Sequence, residues 1–270
     1  MKLGWLTDPH LDFAHPPARR ALAEELWNCS PDGLVVTGDI GEAPTVLEYL
    51  EWLAEMAKCP VYFVLGNHDF YRSSIGKVRE MVRAHCETAS GLFYLTGASA
   101  ITLTDRVALV GHDGWGDARV GRVMETPVRL RDFDQIEELK GLEQMKLVER
   151  LGALGREAAQ TLEKSLGEAL EWHDHVLVAS HVPPTEESAW HEGQGSNGDW
   201  SPYFVCGAMG EMLQRMAQEH PKRRITVLCG HTHSAGEVWL QPNLSVRTGK
   251  AVYGEPRLQP PLLILPTASW

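Results

Sequence analysis

The sequence predicts an α/β protein with a parallel sheet, and two observations support this prediction. Strand-like apolar runs alternate with helix-like segments through the first part of the chain, an order typical of parallel sheets that are covered by helices. Five strand-like runs also end in His, Asp or Asn, at the position where open α/β sheets place their ligand sites. The sequence therefore predicts both a fold class and the edge of the sheet at which a site would lie.

Three predicted strand–helix pairs make up this first part. Residues 44–58 have the clearest helical pattern, because Leu47, Leu50, Leu53 and Ala54 fall on one face. The predicted strands are residues 2–6, 33–37 and 61–65, and the predicted helices are residues 17–27, 44–58 and 75–85.

Later in the chain, short strands separated by turn residues indicate an antiparallel or mixed section. Residues 182–201 form a long loop rich in Gly and Pro, and loops of this length are often functional. We expect one domain over residues 1–270, with residues 116–155 as a candidate charged cap or lid. The alternative for residues 124–149 is a solvated, charged helix pair. The later predicted strands are 93–95, 100–103, 107–110, 175–179, 225–228 and the hairpin 237–240 with 244–247, and the later helices are 156–172 and 208–218.

The composition limits the classes of partner and compartment. The 270 residues carry a net charge of −11, which disfavours a tightly held nucleic-acid polymer because its phosphates need a basic surface. A small phosphate ester stays compatible, because metal ions supply positive charge locally. Five cysteines with no CxxC spacing favour free thiols over disulfides. We find no signal peptide and no membrane-spanning run, so we expect a cytoplasmic protein without a membrane partner.

The strand ends carry a set of side chains suited to metal binding. Imidazole and carboxylate groups together suit Mn, Fe or Zn, and the set has too many ligands for one ion and about enough for two. Asp39 stands between the others in the sequence and is the candidate bridge. The candidate ligands are Asp8, His10, Asp39, Asn67, His181, His231 and His233.

A pair of metal ions predicts phosphoester hydrolysis. Two ions about 3.5–4 Å apart clamp the oxygens of an in-line phosphoryl displacement, and the pKa of a bridging water is lowered from about 15.7 towards roughly 7. The resulting hydroxide would attack without any protein nucleophile. In agreement, the sequence has neither a G-x-S-x-G motif nor a P-loop.

These motifs, in this order, resemble the signature of the calcineurin-like metallophosphoesterases. They span most of the chain, and none is missing. The resemblance implies a four-layer α-β-β-α sandwich of two mixed β-sheets flanked by helices, with a two-metal site between strand ends. The motifs are Asp8-Pro9-His10, Gly38-Asp39, Gly66-Asn67-His68-Asp69, His181 and Gly230-His231-Thr232-His233.

The same resemblance implies a role for each motif residue. His68 would not bind metal; it would protonate the leaving oxygen or stabilise the transition state, and Asp69 would orient its ring. The ligands would divide into Asp8, His10, Asp39 and His233 for one metal, and Asp39, Asn67, His181 and His231 for the other.

Two differences from the protein phosphatases of this family narrow the class of substrate. Protein phosphatases carry Asp-Arg-Gly shortly after the Gly-Asp motif, whereas here Asp39 is followed by Ile-Gly-Glu. They also carry Glu after Asn-His, whereas here Asp69 follows His68. The resemblance therefore favours a bacterial phosphodiesterase-like member, and we expect hydrolysis of a small phosphodiester or phosphomonoester.

Four further residues are candidates for the substrate cleft. His112, Asp113 and Trp115 follow a predicted strand end, and the alternative is a Gly-rich turn with a core tryptophan. His191 lies in the long loop with two tryptophans, whose rings suit stacking on a base or an aryl group. The alternative is a loop packed by its own tryptophans.

Two other functions stay open at this point. A nuclease acting on DNA or RNA ends would use the same core, although the net charge and the lack of a Lys/Arg-rich stretch argue against it. A non-catalytic metal-binding interaction module would use the sandwich as a scaffold. Non-enzymatic members of the superfamily have lost metal ligands, whereas this sequence has lost none.

Overall fold

A computed structural model describes residues 1–263, and its first half follows the predicted alternation of strands and helices. The strands are β1 (Lys2–Leu6), β2 (Gly33–Thr37), β3 (Val61–Val64), β4 (Leu92–Tyr94), β5 (Ile101–Thr104), β6 (Val107–His112), β7 (His175–Ser180), β8 (Trp190–His191), β9 (Gln194–Gly195), β10 (Arg224–Cys229), β11 (Gly236–Gln241), β12 (Leu244–Thr248) and β13 (Leu258–Leu263). The helices are α1 (Pro16–Cys29), α2 (Val46–Ala57), α3 (Ile75–Thr88), α4 (Asp132–Gln135), α5 (Gln144–Trp172), α6 (Ser201–Phe204) and α7 (Gly207–Glu219).

Two mixed sheets carry most of these strands. The first has the order β13-β1-β2-β3-β4, in which β1 to β4 are parallel and β13 pairs antiparallel with β1. The second has the order β11-β12-β10-β7-β6-β5, in which the four central strands are parallel and the two edge strands are antiparallel. In both sheets the central parallel strands bring their carboxyl ends to one edge.

The apolar side chains divide into three clusters that define four layers. One cluster lies between the sheets and includes Leu3 and Val35 from the first sheet and Leu109 and Leu177 from the second. A second cluster packs α1, α2 and α3 on the outer face of the first sheet. The third packs α5 and α7 on the outer face of the second sheet. The structure therefore confirms the α-β-β-α sandwich.

Several elements differ from the sequence-based predictions. Helix α5 begins at Gln144, well before the predicted start, and β6 continues to His112. Strand β13 was not predicted, because its two prolines obscure the strand pattern. Residues 124–149 are not a solvated helix pair, because Phe133 and Ile136 are buried in the core and the segment consists of irregular chain, the one-turn helix α4 and the start of α5 at Gln144.

Two further observations concern the cysteines and the helices. All five cysteines are free thiols. Within residues 1–263, no helix combines the length and the apolar character needed to cross a membrane.

Candidate metal centre

The seven candidate ligands lie on loops at the carboxyl ends of the parallel strands. Non-glycine residues with a left-handed backbone cost of order 1–3 kcal/mol each and cluster at functional sites. Of the ten such residues among residues 1–263, half are candidate ligands: Asp8 (φ 46°), His10 (φ 42°), Asp39 (φ 53°), His231 (φ 69°) and His233 (φ 59°). The strained backbone is therefore concentrated at these strand ends.

The first group of ligands contains Asp8, His10, Asp39 and His233. One ligand atom from each of the four lies within 4.8 Å of the others. His10 Nε2 lies 3.1 Å from His233 Nε2 and 3.6 Å from Asp39 Oδ2. Asp8 Oδ1 lies 3.4 Å from His233 Nε2. The four side chains thus converge on one point.

The second group contains Asp39, Asn67, His181 and His231. His181 Nε2 lies 3.0 Å from Asn67 Oδ1, 3.1 Å from His231 Nδ1 and 3.5 Å from Asp39 Oδ1. Asp39 therefore directs Oδ1 towards this group and Oδ2 towards the first. This arrangement places the two groups on either side of one carboxylate.

The hydrogen bonds of the second group leave three lone pairs facing one another. His181 donates from Nδ1 to the Thr37 carbonyl, and His231 donates from Nε2 to the Tyr203 carbonyl, at 2.9 and 3.1 Å. Burial lowers the pKa of both rings, to about 3 for His231, so each ring is neutral near pH 7. The other nitrogen of each ring is then an acceptor, as is Asn67 Oδ1. His181 Nε2 thus lies about 3 Å from each of the other two acceptors, and such contacts are repulsive unless a cation lies between them.

The buried carboxylates also require positive charge nearby. Asp8, Asp39, Asp69 and Asp132 are all at most 3% exposed. Among residues 1–263, none of the four forms an ion pair with Lys or Arg. Burial and the neighbouring carboxylates raise the pKa of Asp39 well above its usual range. Because unpaired buried charge is costly, the donor set fits bound metal cations.

Two glycines permit the close approach of these loops. A Cβ atom on Gly66 would lie 2.2 Å from Asp39 Oδ1, and one on Gly230 would lie 1.9 Å from Asp8 Oδ2. Both distances are far shorter than a van der Waals contact. The glycines of the two motifs are therefore required by the positions of the carboxylates.

Asp69 has a different role from the one that the family resemblance implies. Its carboxylate accepts hydrogen bonds from the backbone N–H groups of Ile40, Gly41 and Gly66, at 2.8–2.9 Å. No hydrogen bond joins it to the His68 ring in the described part of the chain, and His68 Nδ1 has no partner there. Asp69 thus ties the Asp39 loop to the Gly66 loop, and its expected role in orienting His68 is corrected.

Asp132 is a site residue that the sequence analysis missed. Its Oδ1 accepts from Asn67 Nδ2 at 2.9 Å and from the Tyr71 hydroxyl at 2.7 Å. The first bond fixes which end of the Asn67 amide faces the second group. Asp132 begins the short helix α4 in a charged segment with no strand-end signal, so sequence spacing alone could not identify it.

We expect Asp132→Ala to weaken binding of the second metal by roughly 10–100-fold, because outer-shell partners orient ligands. The measurement is Zn²⁺ titration of the metal-free protein. Asp134→Ala is the matched control, since Asp134 is exposed and pairs with Arg129 on the surface. Equal affinity in the Asp132 and Asp134 variants would show that Asp132 does not support the site.

An open cleft with a volume of about 680 Å³ leads to the ligands. His191, Trp200 and Phe204 form one side of it, with ring centroids 5.0–5.2 Å apart. Phe13 and Tyr253 also line it. His191 is therefore placed at the cleft, and its contact with a substrate stays a prediction.

The other three predicted cleft residues lie inside the protein. His112 is fully buried, and its Nε2 faces Glu157 at 3.5 Å. Asp113 is buried and accepts from Arg79, Tyr94 and Thr96 instead of lining the cleft. Trp115 is buried behind the second ligand group and packs on Phe70. A strand end alone does not show which way its side chains point, so these three assignments are corrected.

We expect Asp113→Ala to lower the free energy of unfolding by about 3–5 kcal/mol, because it leaves the guanidinium of Arg79 without its closest buried partner. Burial alone would raise the pKa of Asp113. Arg79 and the other donors lower it by more, so the pKa lies below its usual value. The stabilisation of the fold by ionised Asp113 is therefore present above the unfolded-state pKa of about 3.9, and it is lost as the pH falls below that value. Urea unfolding at neutral pH and near pH 3 measures both effects. Exposed Asp105→Ala is the control, and an equal loss in both variants would contradict the prediction.

Comparison with solved structures shows the same fold in distant proteins. A phosphopantetheinyl hydrolase from Mycobacterium tuberculosis is 14% identical with a TM-score of 0.63, over 100% of this chain and 97% of that one. A dimetal phosphatase from Danio rerio is 15% identical with a TM-score of 0.57, over 94% of this chain and 88% of that one. No curated protein sequence is significantly similar to this chain.

The comparison with sequence families is more specific. The family model described as calcineurin-like phosphoesterase matches residues 1–235, a range that contains all seven candidate ligands. The fold, the shared carboxylate of Asp39 and the converging acceptors agree with that match. The chain belongs to the calcineurin-like phosphoesterase family.

Proposed function

We propose that the protein is a dinuclear-metal phosphoesterase that hydrolyses a small phosphodiester or phosphomonoester. The observation that carries this proposal is the Asp39 carboxylate, which presents one oxygen to each of two converging ligand groups. Membership of the family supports a metal-dependent phosphoester hydrolase. The seven candidate residues would hold two ions of Mn, Fe or Zn, with the division of ligands given above.

When bound, the metals would supply Lewis-acid charge and lower the pKa of a shared water. The chain contributes orientation and proton transfer. Thr37 and Tyr203 hold the His181 and His231 rings through their carbonyls, and Asp132 holds the Asn67 amide. His68 lines the cleft beside the ligands without joining either group, which suits a proton donor to the leaving oxygen.

The residues that line the cleft favour a small, compact phosphate ester as the substrate. Arg131 is the only Lys or Arg that lines it among residues 1–263, and its guanidinium forms no ion pair there. A single free cation suits one phosphate group better than a polymer of phosphates. The aromatic side formed by His191, Trp200 and Phe204 suits a planar or apolar substituent on the ester. We therefore favour a phosphodiesterase over a nuclease or a phosphoprotein phosphatase, and place it in the cytoplasm, as the five free thiols suggest.

A screen of phosphate esters with added Mn²⁺ tests the proposal. The panel includes bis-p-nitrophenyl phosphate, p-nitrophenyl phosphate, nucleoside esters, a phosphopantetheinyl ester and a phosphoprotein. We expect turnover of small esters, with the diester cleaved and the phosphoprotein poorly cleaved. Strong phosphoprotein hydrolysis without diester hydrolysis would reverse the ranking. An inert protein with full metal occupancy would favour the interaction module.

A further inference from the structure

The cleft carries aromatic rings beside each of the two ligand groups. The rings of His191, Trp200 and Phe204 are called the Trp200 wall here. Phe204 meets the ring of His231 edge-on, with centroids 5.1 Å apart and an interplanar angle of 81°. Trp200 stacks on Phe204 at 5.0 Å and 24°. Because His231 belongs to the second ligand group, the Trp200 wall begins at that group.

The rings of Phe13 and Tyr253, called the Tyr253 wall, lie beside the first ligand group. Tyr253 stacks on His10 with centroids 4.3 Å apart and an interplanar angle of 29°, and Phe13 packs on Tyr253 at 5.2 Å. Tyr253 lies beyond residues 1–235, the range that the family model matches. Within residues 1–263, no ring of the Tyr253 wall contacts a ring of the Trp200 wall. The cleft therefore has two separate aromatic surfaces, one at each ligand group.

These rings are held in place but remain open to solvent. Phe13 is 43% exposed and Tyr253 is 49% exposed, and Trp200 is half-buried. The loop of Tyr253 is tied to the first ligand group, because the Ala251 N–H donates to the His233 carbonyl at 3.2 Å. Apolar surface that stays exposed in a cleft is typical of a ligand-binding groove. Both walls are thus available to flat groups of a bound molecule.

The charges that line the cleft favour a ligand with a single negative charge. Arg131 is the one Lys or Arg on the cleft lining within residues 1–263, and the carboxylate of Glu192 lines the same cleft. A phosphate monoester carries a charge of about −1.5 to −2 at pH 7, whereas a phosphodiester carries a single negative charge. A diester also has two substituents, which matches the number of aromatic walls.

We propose that the substrate is a phosphodiester with a planar aromatic group on each ester oxygen. Trp200 and Tyr253 are then the specificity-determining residues, and each wall binds one of the two groups. This inference rests on the proposed function and deepens it. In the reaction, a water molecule supplies the hydroxyl group that phosphorus gains and the proton that the departing oxygen gains. That oxygen leaves with the electron pair of its bond to phosphorus, so one wall holds the departing group and the other holds the group that stays on the monoester product.

Kinetics on two diesters with the same departing group test this assignment. Trp200→Ala and Tyr253→Ala should each lower kcat/KM for bis-p-nitrophenyl phosphate roughly 5-fold or more, with metal content unchanged. Methyl p-nitrophenyl phosphate has one aromatic group, which departs, so only one of the two variants should slow its hydrolysis. Trp172→Ala and Phe93→Ala remove aromatic rings that are 79% and 42% exposed outside the cleft, and both should behave as wild type. Equal losses on both diesters in both variants, or no loss in either variant, would overturn the proposal.

Binding of phosphinates keeps this inference separate from the proposed function, because phosphinates have no ester bond to hydrolyse. Calorimetric titration of the Zn-loaded protein compares dimethylphosphinate, methylphenylphosphinate and diphenylphosphinate. We expect the affinity to rise roughly 3–10-fold with each phenyl ring. Either wall variant should lose the second of these two steps, and the double variant should lose both.

The two assays also distinguish the two ways in which the account could fail. Equal affinity for diphenylphosphinate and dimethylphosphinate would overturn the assignment of the walls, even if the protein hydrolyses esters. If the wild-type protein hydrolyses no ester but binds diphenylphosphinate in the expected wall-dependent way, the proposed function fails and the two-wall binding site stands.

Discussion

Asp39→Asn should abolish stable occupancy of both metal positions and reduce kcat/KM by at least about 1,000-fold. One Asp39 oxygen faces each ligand group, at 3.5 Å from His181 Nε2 and 3.6 Å from His10 Nε2. An amide presents one oxygen and one N–H₂ donor, so it cannot offer a lone pair to both sides. Bound metal supplies several kcal/mol of transition-state stabilisation, and each 1.36 kcal/mol corresponds to a tenfold change in rate.

Comparison with His233→Ala isolates the bridging role of Asp39, because that substitution removes one ligand from the first group only. We expect Asp39→Asn to lose more activity than His233→Ala and to retain fewer ions per chain. Circular dichroism checks that both variants are folded, since Asp39 also accepts from the His68 N–H at 2.9 Å. Near-normal turnover and metal content in Asp39→Asn would show that Asp39 does not bridge.

His68→Ala should retain its metals and lose activity according to the leaving group. Proton donation is typically worth ~10²–10⁴-fold, so the loss on a nucleoside or alkyl ester should lie in that range. A p-nitrophenolate leaves readily without a proton, so the loss on a p-nitrophenyl ester should be far smaller. Burial lowers the pKa of His68 to about 3, and the negative charge of a bound phosphate would act in the opposite direction.

Values of kcat/KM on both esters, in wild type and variant, measure this dependence. Metal content is determined on the same samples. Equal losses on the two esters would mean that His68 acts by electrostatic stabilisation or by positioning. Loss of metal would mean that His68 is itself a ligand.

The sequence was most informative where a strand ends in a polar side chain. Parallel strands bring their carboxyl ends to one edge, so His181 and His231 could be placed together although they are 50 residues apart. Alternating apolar runs also predicted the strands and helices of the first sheet. The face-to-face packing of two sheets was predicted from the family resemblance, since periodicity does not define which sheets pack together.

The sequence was least informative where function depends on direction or on an isolated long-range contact. Asp113 follows a strand as Asp39 does, but it points into the protein and pairs with Arg79. Asp132 meets Asn67 from 65 residues away, and Tyr253 meets His68 from 185 residues away. Neither contact leaves a periodic signal, because each is made by a single side chain, one at the start of the short helix α4 and one in a turn.

The stoichiometry of bound metal tests the central claim most directly. The protein is purified without chelator, incubated with Mn²⁺ or Zn²⁺, desalted and analysed for metals. The two ligand groups that share Asp39 predict about two ions per chain. Absence of bound metal after incubation with either ion would contradict the account, because the facing acceptors of His181, His231 and Asn67 would then have no cation between them.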